Sequence, residues 1–131
     1  MVDLLGRVSL PAAWSDTWKA DPTLPVIRDV DGTWLDGFDM LDRTARVAAR
    51  LHAAGLRPGE RVIVSGEASA DLVIAHCGAL RVGLVVVPID GACSRRELDA
   101  LADAHPKAAI VEDDEMRSWL PADLITTGVD V

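Results

Sequence analysis

The twenty residues Asp71–Asp90, DLVIAHCGALRVGLVVVPID, decide the fold. Leu72, Val73, Ile74, Ala75, Cys77, Ala79 and Leu80 are apolar almost all the way round a helix, the pattern of one buried on several sides. Gly83 ends that helix, since only glycine takes the left-handed backbone of a helix C-terminus without steric cost. Leu84 to Val87 then run without polar interruption into Pro88, and Asp90 returns the chain to water. A short valine-rich run bounded by Gly and Pro predicts a strand covered on both faces, a central strand of a parallel sheet. A buried helix feeding such a strand implies a layered α/β domain.

The flanks supply the other layers. Upstream, Pro11 to Ala20 reads as a short amphipathic helix whose Trp14 and Trp18, four apart, share a face. Asp21-Pro22 ends it, because a residue before proline is driven out of the helical region. Pro25–Val30 and Thr33–Leu35 read as strands joined by Asp31-Gly32, a strong hairpin signal. Asp36 caps a helix to Ala54 with Met40, Thr44, Val47, Ala48 and Leu51 on its buried face. Acid-before-base pairs, Asp39 with Arg43 and Asp42 with Arg46, are expected on the wet face. Arg61 to Ser65 is the next strand, and Ser69 is placed to cap the buried helix.

Downstream, Ser94 caps a helix over Arg95 to His105, with Leu98, Leu101 and Ala102 expected to face inward and Pro106 to stop it. Ala108 to Val111 is a core strand, Asp113 to Trp119 a short helix and Leu124 to Thr127 a last strand. Strands separated by helices pair in parallel through crossovers. The expected architecture is therefore α/β, a mostly parallel sheet with flanking helices and an N-terminal hairpin. Residues 1–24 form an N-terminal clamp and 25–131 an α/β subdomain.

Composition narrows the partners. The 131 residues are 50% apolar and 26% charged, as in a globular domain, and the net charge of −8 repels phosphate backbones, so nucleic acid is not an expected partner. Apolar runs fall far short of the ~18 residues that cross a bilayer, and Asp3, Gly6 and Arg7 interrupt any leader-like start. Cys77 and Cys93 lack metal or redox spacing and read as reduced thiols of a cytoplasmic protein.

Two stretches carry a family resemblance. Leu80, Gly83, Pro88, Ile89 and Asp90 match a core motif of the adenylate-forming (AMP-binding) superfamily, with Arg81 where lysine is usual. Gly55-Leu56-Arg57-Pro58-Gly59-Glu60-Arg61-Val62 and Arg96-Glu97-Leu98 match two more, in the family's order. Leu35 to Met40 occupies a further motif's place, though Asp36, Gly37 and Asp39 depart from its usual residues. The resemblance covers about residues 25 to 112. It implies the N-terminal segment of an ATP-dependent acyl-CoA synthetase, joining a carboxylic acid, expected to be a fatty acid, to ATP and then to CoA with Mg²⁺. A peptide-synthetase adenylation domain shares these motifs. A stand-alone, non-catalytic α/β binding module is the rival of a different class.

Such chemistry needs backbone N–H groups and a cation around moving phosphates. No Gly-rich phosphate loop is present, so no catalytic or metal-binding residue is assigned, no cofactor is expected on this segment, and it is expected to be inactive by itself. Surfaces exposed by truncation are expected to drive self-association. The resemblance places CoA near Gly91, after the Pro-containing strand, and Arg117, after the following one. A turn at Gly91 and an Arg117 partnered by Asp113 or Asp114 explain the same residues without a ligand. His52 and His105 read as helix-terminal and His76 as a hydrogen-bonded core residue. Asp71, Asp90, Asp113 and Asp114 are explained by caps and turns rather than by a metal.

Overall fold

The computed structural model describes residues 9–128. Helix α1 (Leu10–Ala20) leads into an antiparallel hairpin of β1 (Pro25–Arg28) and β2 (Trp34–Asp36), followed by α2 (Gly37–Ala53). Then come β3 (Arg61–Ser65), α3 (Ala70–Val82), β4 (Val85–Pro88), α4 (Arg95–Ala100) with a 3₁₀ turn (Leu101–Ala104), β5 (Ala108–Val111), α5 (Asp114–Ser118) and β6 (Ile125–Thr127). Strands β3 to β6 form one parallel sheet in the order β4-β3-β5-β6.

Alternation along the strands builds the two layers. Val62, Val64, Ala108 and Ile110 enter a core with Met40, Val47 and Leu51 of α2, Ile74, Ala75 and Ala79 of α3, and Trp18 of α1. Ile63, Ala109 and Val111 enter a smaller core on the other face with Leu98 of α4 and Met116 of α5. Trp14 stacks on Trp18 with ring centroids 6.4 Å apart.

Local capping chemistry explains where the helices start. Asp36 and Asp39 form a reciprocal capping box on α2, and Ser94 and Glu97 form another on α4. Ser69 Oγ accepts from the Leu72 N–H at 3.2 Å, while the neighbouring Ala70 N–H donates to Asp29 Oδ1 at 3.1 Å, tying the hairpin to α3. Gly83 stands at φ 85° as the α3 C-cap. The Gly59 N–H donates to the Gly83 carbonyl at 2.9 Å, and the Val85 N–H to the Glu60 carbonyl at 2.9 Å. The Gly55–Val62 and Leu80–Asp90 motifs thus lock each other in space.

Three expectations are corrected. Strand β4 is not central: among the described residues it pairs only with β3, and Val85 is 48% exposed. The chain crosses past β3 after Pro88, so β3 and β5 take the middle of the sheet. Arg43 pairs with Asp71 of α3 rather than with Asp39, whose carboxylate receives the Asp36 N–H; Asp42 and Arg46 do pair. The third predicted helix tightens into the 3₁₀ turn after Ala100, leaving Ala102 exposed. His105 turns left-handed at φ 50°, as the following Pro106 disfavours helical backbone there.

Candidate functional site

Strands β3 and β5 are neighbours whose following helices leave in opposite directions on opposite faces: α3 returns toward β4 on one side and α5 toward β6 on the other. Such a switch point opens a crevice at the carboxyl ends of the strands, where ligands of open α/β sheets bind. Here it is a cleft of about 900 Å³, lined by Ser65, Gly66, Glu67 and Ala68 after β3, Asp90, Gly91 and Ala92 after β4, and Glu112 to Glu115 after β5.

Backbone needs have shaped this cleft. The Glu67 N–H donates to Glu112 Oε2 at 2.8 Å, bridging the ends of β3 and β5. Asp90 Oδ1 accepts from the Ala92 N–H at 2.9 Å and Asp113 Oδ1 from the Met116 N–H at 2.7 Å, a turn and a helix cap respectively. Asp114 pairs with Arg117, whose Nη2 also reaches the Glu112 carbonyl at 3.4 Å. The side chains of Glu67 and Glu115 carry no such local bond among the described residues. Six carboxylates therefore line the cleft, and no Lys, Arg or His does.

The candidate CoA residues separate. Gly91 lies in the cleft, and a Cβ there would meet only the Gly66 carbonyl oxygen at 4.0 Å, so the position has room for a side chain. Arg117 is not in the lining; its Nη2 pairs with Asp114, while its Nε is buried without a hydrogen-bond partner among the described residues. Cys93, two residues beyond Gly91, has its thiol pKa pushed up by burial and then by the Glu97 and Asp90 carboxylates, the opposite of the lowered pKa that activates a cysteine. Cys77 is likewise raised by burial in α3.

The acidic residues weighed as a metal cluster divide: Asp71 pairs with Arg43, away from the other three. Among the described residues no group of three or more His, Cys, Asp or Glu is arranged to hold a metal ion. His52 and His105 are exposed, and His76 is half-buried rather than in the core. Glu67 and Glu112 were not singled out in the sequence; the signal was an acid just beyond each of two strands.

A second cleft of about 550 Å³ lies beside the starts of β5 and β6, walled by Ile63, Leu98, Trp119, Leu120 and Leu124. No helix among the described residues is long and apolar enough to cross a membrane.

Residues 14–129 match the family model described as AMP-binding enzyme. The hybrid PKS-NRPS synthetase thnA of Trichoderma harzianum is 29% identical over 105 residues, covering 80% of this chain and 3% of its own length. The long-chain-fatty-acid–AMP ligase FadD28 of Mycobacterium tuberculosis is 31% identical over 117 residues, covering 78% of this chain and 20% of its own. The crystal structure of VinN superposes with a TM-score of 0.82 at 28% identity, over 92% of this chain and 33% of that one. VinN has also been solved in complex with L-aspartate. The chain thus spans only a small share of the length of the relatives it matches.

Proposed function

The chain belongs to the AMP-binding enzyme family, and from that premise we propose that it is the supporting part of an enzyme that joins a carboxylate to the α-phosphate of ATP, expelling pyrophosphate and leaving an acyl-adenylate. The family match across residues 14–129, which contain the whole sheet, carries this reading. The motif residues act here as scaffold: Gly83 caps α3 and receives the Gly59 N–H, and Arg61 to Ser65 forms the middle of the sheet. The stacked Trp14–Trp18 pair supports a clamp role for α1 over the 25–131 subdomain; residues 1–8 of the proposed clamp lie outside the described residues.

The residues present do not fit the phosphates of ATP. The cleft offers six carboxylates and no cation, so the groups that neutralise the departing pyrophosphate, and the Mg²⁺ that accompanies it, are not held by this sheet edge. What the chain supplies is rigidity, through two packed cores and mutually locked motif loops.

The carboxylate substrate has two supported readings. FadD28 points to a fatty acid, and thnA and VinN point to an amino acid as in peptide synthetases. The acceptor likewise divides between CoA, set against Gly91 and Arg117 as in an acyl-CoA synthetase, and a thiol without CoA's nucleotide. The engagement of Arg117 by Asp114 weighs against the first.

ATP–pyrophosphate exchange tests the reading, run on the protein encoded by the complete reading frame that carries this chain, with a panel of amino acids and fatty acids. Exchange dependent on one class of carboxylate is expected. Nucleotide binding without exchange for any carboxylate would return the chain to the non-catalytic module.

A further inference from the structure

We propose that the switch-point cleft excludes polyanions, so that the thiol accepting the activated acyl group carries no CoA-type nucleotide. This rests on the adenylate-forming reading. The transfer it concerns is balanced: the thiol sulfur forms a bond to the acyl carbon, the bond from that carbon to the AMP phosphate oxygen breaks, AMP leaves with the electron pair, and the thiol proton is released.

In an open α/β sheet the crevice between β3 and β5 is where a nucleotide would lie. It is lined by Glu67, Asp90, Glu112, Asp113, Asp114 and Glu115 with no basic side chain among them. Arg117, a cation beside it, is paired through Nη2 with the exposed Asp114, so a phosphate there would compete with a carboxylate already in place, although its Nε is buried without a partner among the described residues. The six carboxylates are exposed, so the field they set up is one that salt screens. CoA brings a pyrophosphate and a 3′-phosphate into it, whereas pantetheine is neutral. Dephospho-CoA stands between them.

The charge is not a by-product of local structure alone. Asp90, Asp113 and Glu112 serve a turn, a cap and the β3–β5 bridge. The Glu67 and Glu115 carboxylates make none of these bonds, though Glu115 stands in the first turn of α5 where an acid favours the helix. They are therefore the substitutions that change the field without removing a cap.

The test uses the full protein, first shown to catalyse pyrophosphate exchange; failure at that step defeats the adenylation reading and not the charge argument. Thioester formation is then measured with CoA, dephospho-CoA and pantetheine in the parent and in E67K/E115K. The expected kcat/KM order is pantetheine above dephospho-CoA above CoA. The ratio of CoA to pantetheine should rise several-fold with added salt, which screens the field, and several-fold in E67K/E115K. Using a ratio within one preparation keeps a partly unfolded variant from mimicking the effect. A preference for CoA that neither salt nor charge reversal moves would overturn the proposal. So would adenylate formation with no transfer to any of the three thiols.

Discussion

At Gly78 helix α3 packs directly against Val47 and Thr44 of α2, and Gly78→Ala should loosen the packing of the two helices. A Cβ built there would sit 2.4 Å from Val47 Cγ1, 2.5 Å from Val47 Cβ and 3.2 Å from the Thr44 carbonyl oxygen. Carbon atoms in contact prefer about 3.5–4.0 Å, so the overlap exceeds about 1 Å. Val47 has no exposed surface, and as a β-branched residue in a helix it has essentially one χ1 rotamer. Rotating it would not help, because its Cβ is as close as its methyl. The helices must therefore separate, at the roughly 1–3 kcal/mol typical of an overpacked core. Alanine regains about 1 kcal/mol of helix propensity over glycine. The net expectation is destabilisation of up to about 2 kcal/mol, a fall of up to about 8 °C in Tm at roughly 4 °C per kcal/mol for a domain of this size. Thermal unfolding followed by circular dichroism reads this directly. Val47→Ala should restore only part of the loss in the double variant, since the Cβ and the Thr44 carbonyl remain. A Tm for Gly78→Ala at or above the parent would show that propensity wins and that the helices do not approach this closely.

Gly83→Val should cost more than about 1 kcal/mol, from its positive φ and from a Cβ only 3.1 Å from Pro58 Cβ; an unchanged melting temperature would contradict the C-cap. Glu97, exposed, has its pKa held below the ordinary 4.5 by hydrogen bonds from Ser94. Because the folded value is the lower one, the cap's contribution is present above the unfolded pKa and is lost as pH falls through the folded pKa. An NMR titration of the Glu97 carboxyl and the Ser94 amide should show both moving together below 4.5, and a midpoint above it would refute the capping box. Leu24, Val26, Trp34 and Phe38 are exposed along the hairpin and the start of α2. The isolated chain should therefore associate with rising concentration and bind an apolar dye; light scattering from a monodisperse monomer that binds none would count against it.

What was legible in the sequence was local. Asp36, Ser69 and Ser94 were readable as caps because each side chain serves an N–H three residues away, and that distance is fixed by the helix itself. The buried run Val62–Val64 and the glycine stop at Gly83 were readable for the same reason. The pairing of Arg43 was not. Asp39 lay one turn before it with the favoured spacing, yet the capping box claimed that carboxylate and the packing of α3 offered Asp71 instead. Gly78 reads as one more small residue of a helix buried on several sides, although a glycine inside a helix, at a cost of about 1 kcal/mol, usually marks a close approach.

The order of the sheet was the larger gap, and it governs the site. A valine run reports that a strand is apolar, not which strands flank it, so Val85–Pro88 looked central when it lies at an edge. The same ignorance hid the cleft. Glu67, Asp90 and Glu112 are each an unremarkable polar residue just past a strand, more than twenty positions from the next. They become one electrostatic feature only because β4, β3 and β5 are adjacent and parallel, which brings all three carboxyl ends to one edge. Once that adjacency is known, their charge follows from the sequence alone. A field of this sign at the place where a sheet of this kind receives its ligand bears on which acceptor the protein admits, and Gly91, open to that cleft with room for a side chain, is where a change of shape without a change of charge can be made.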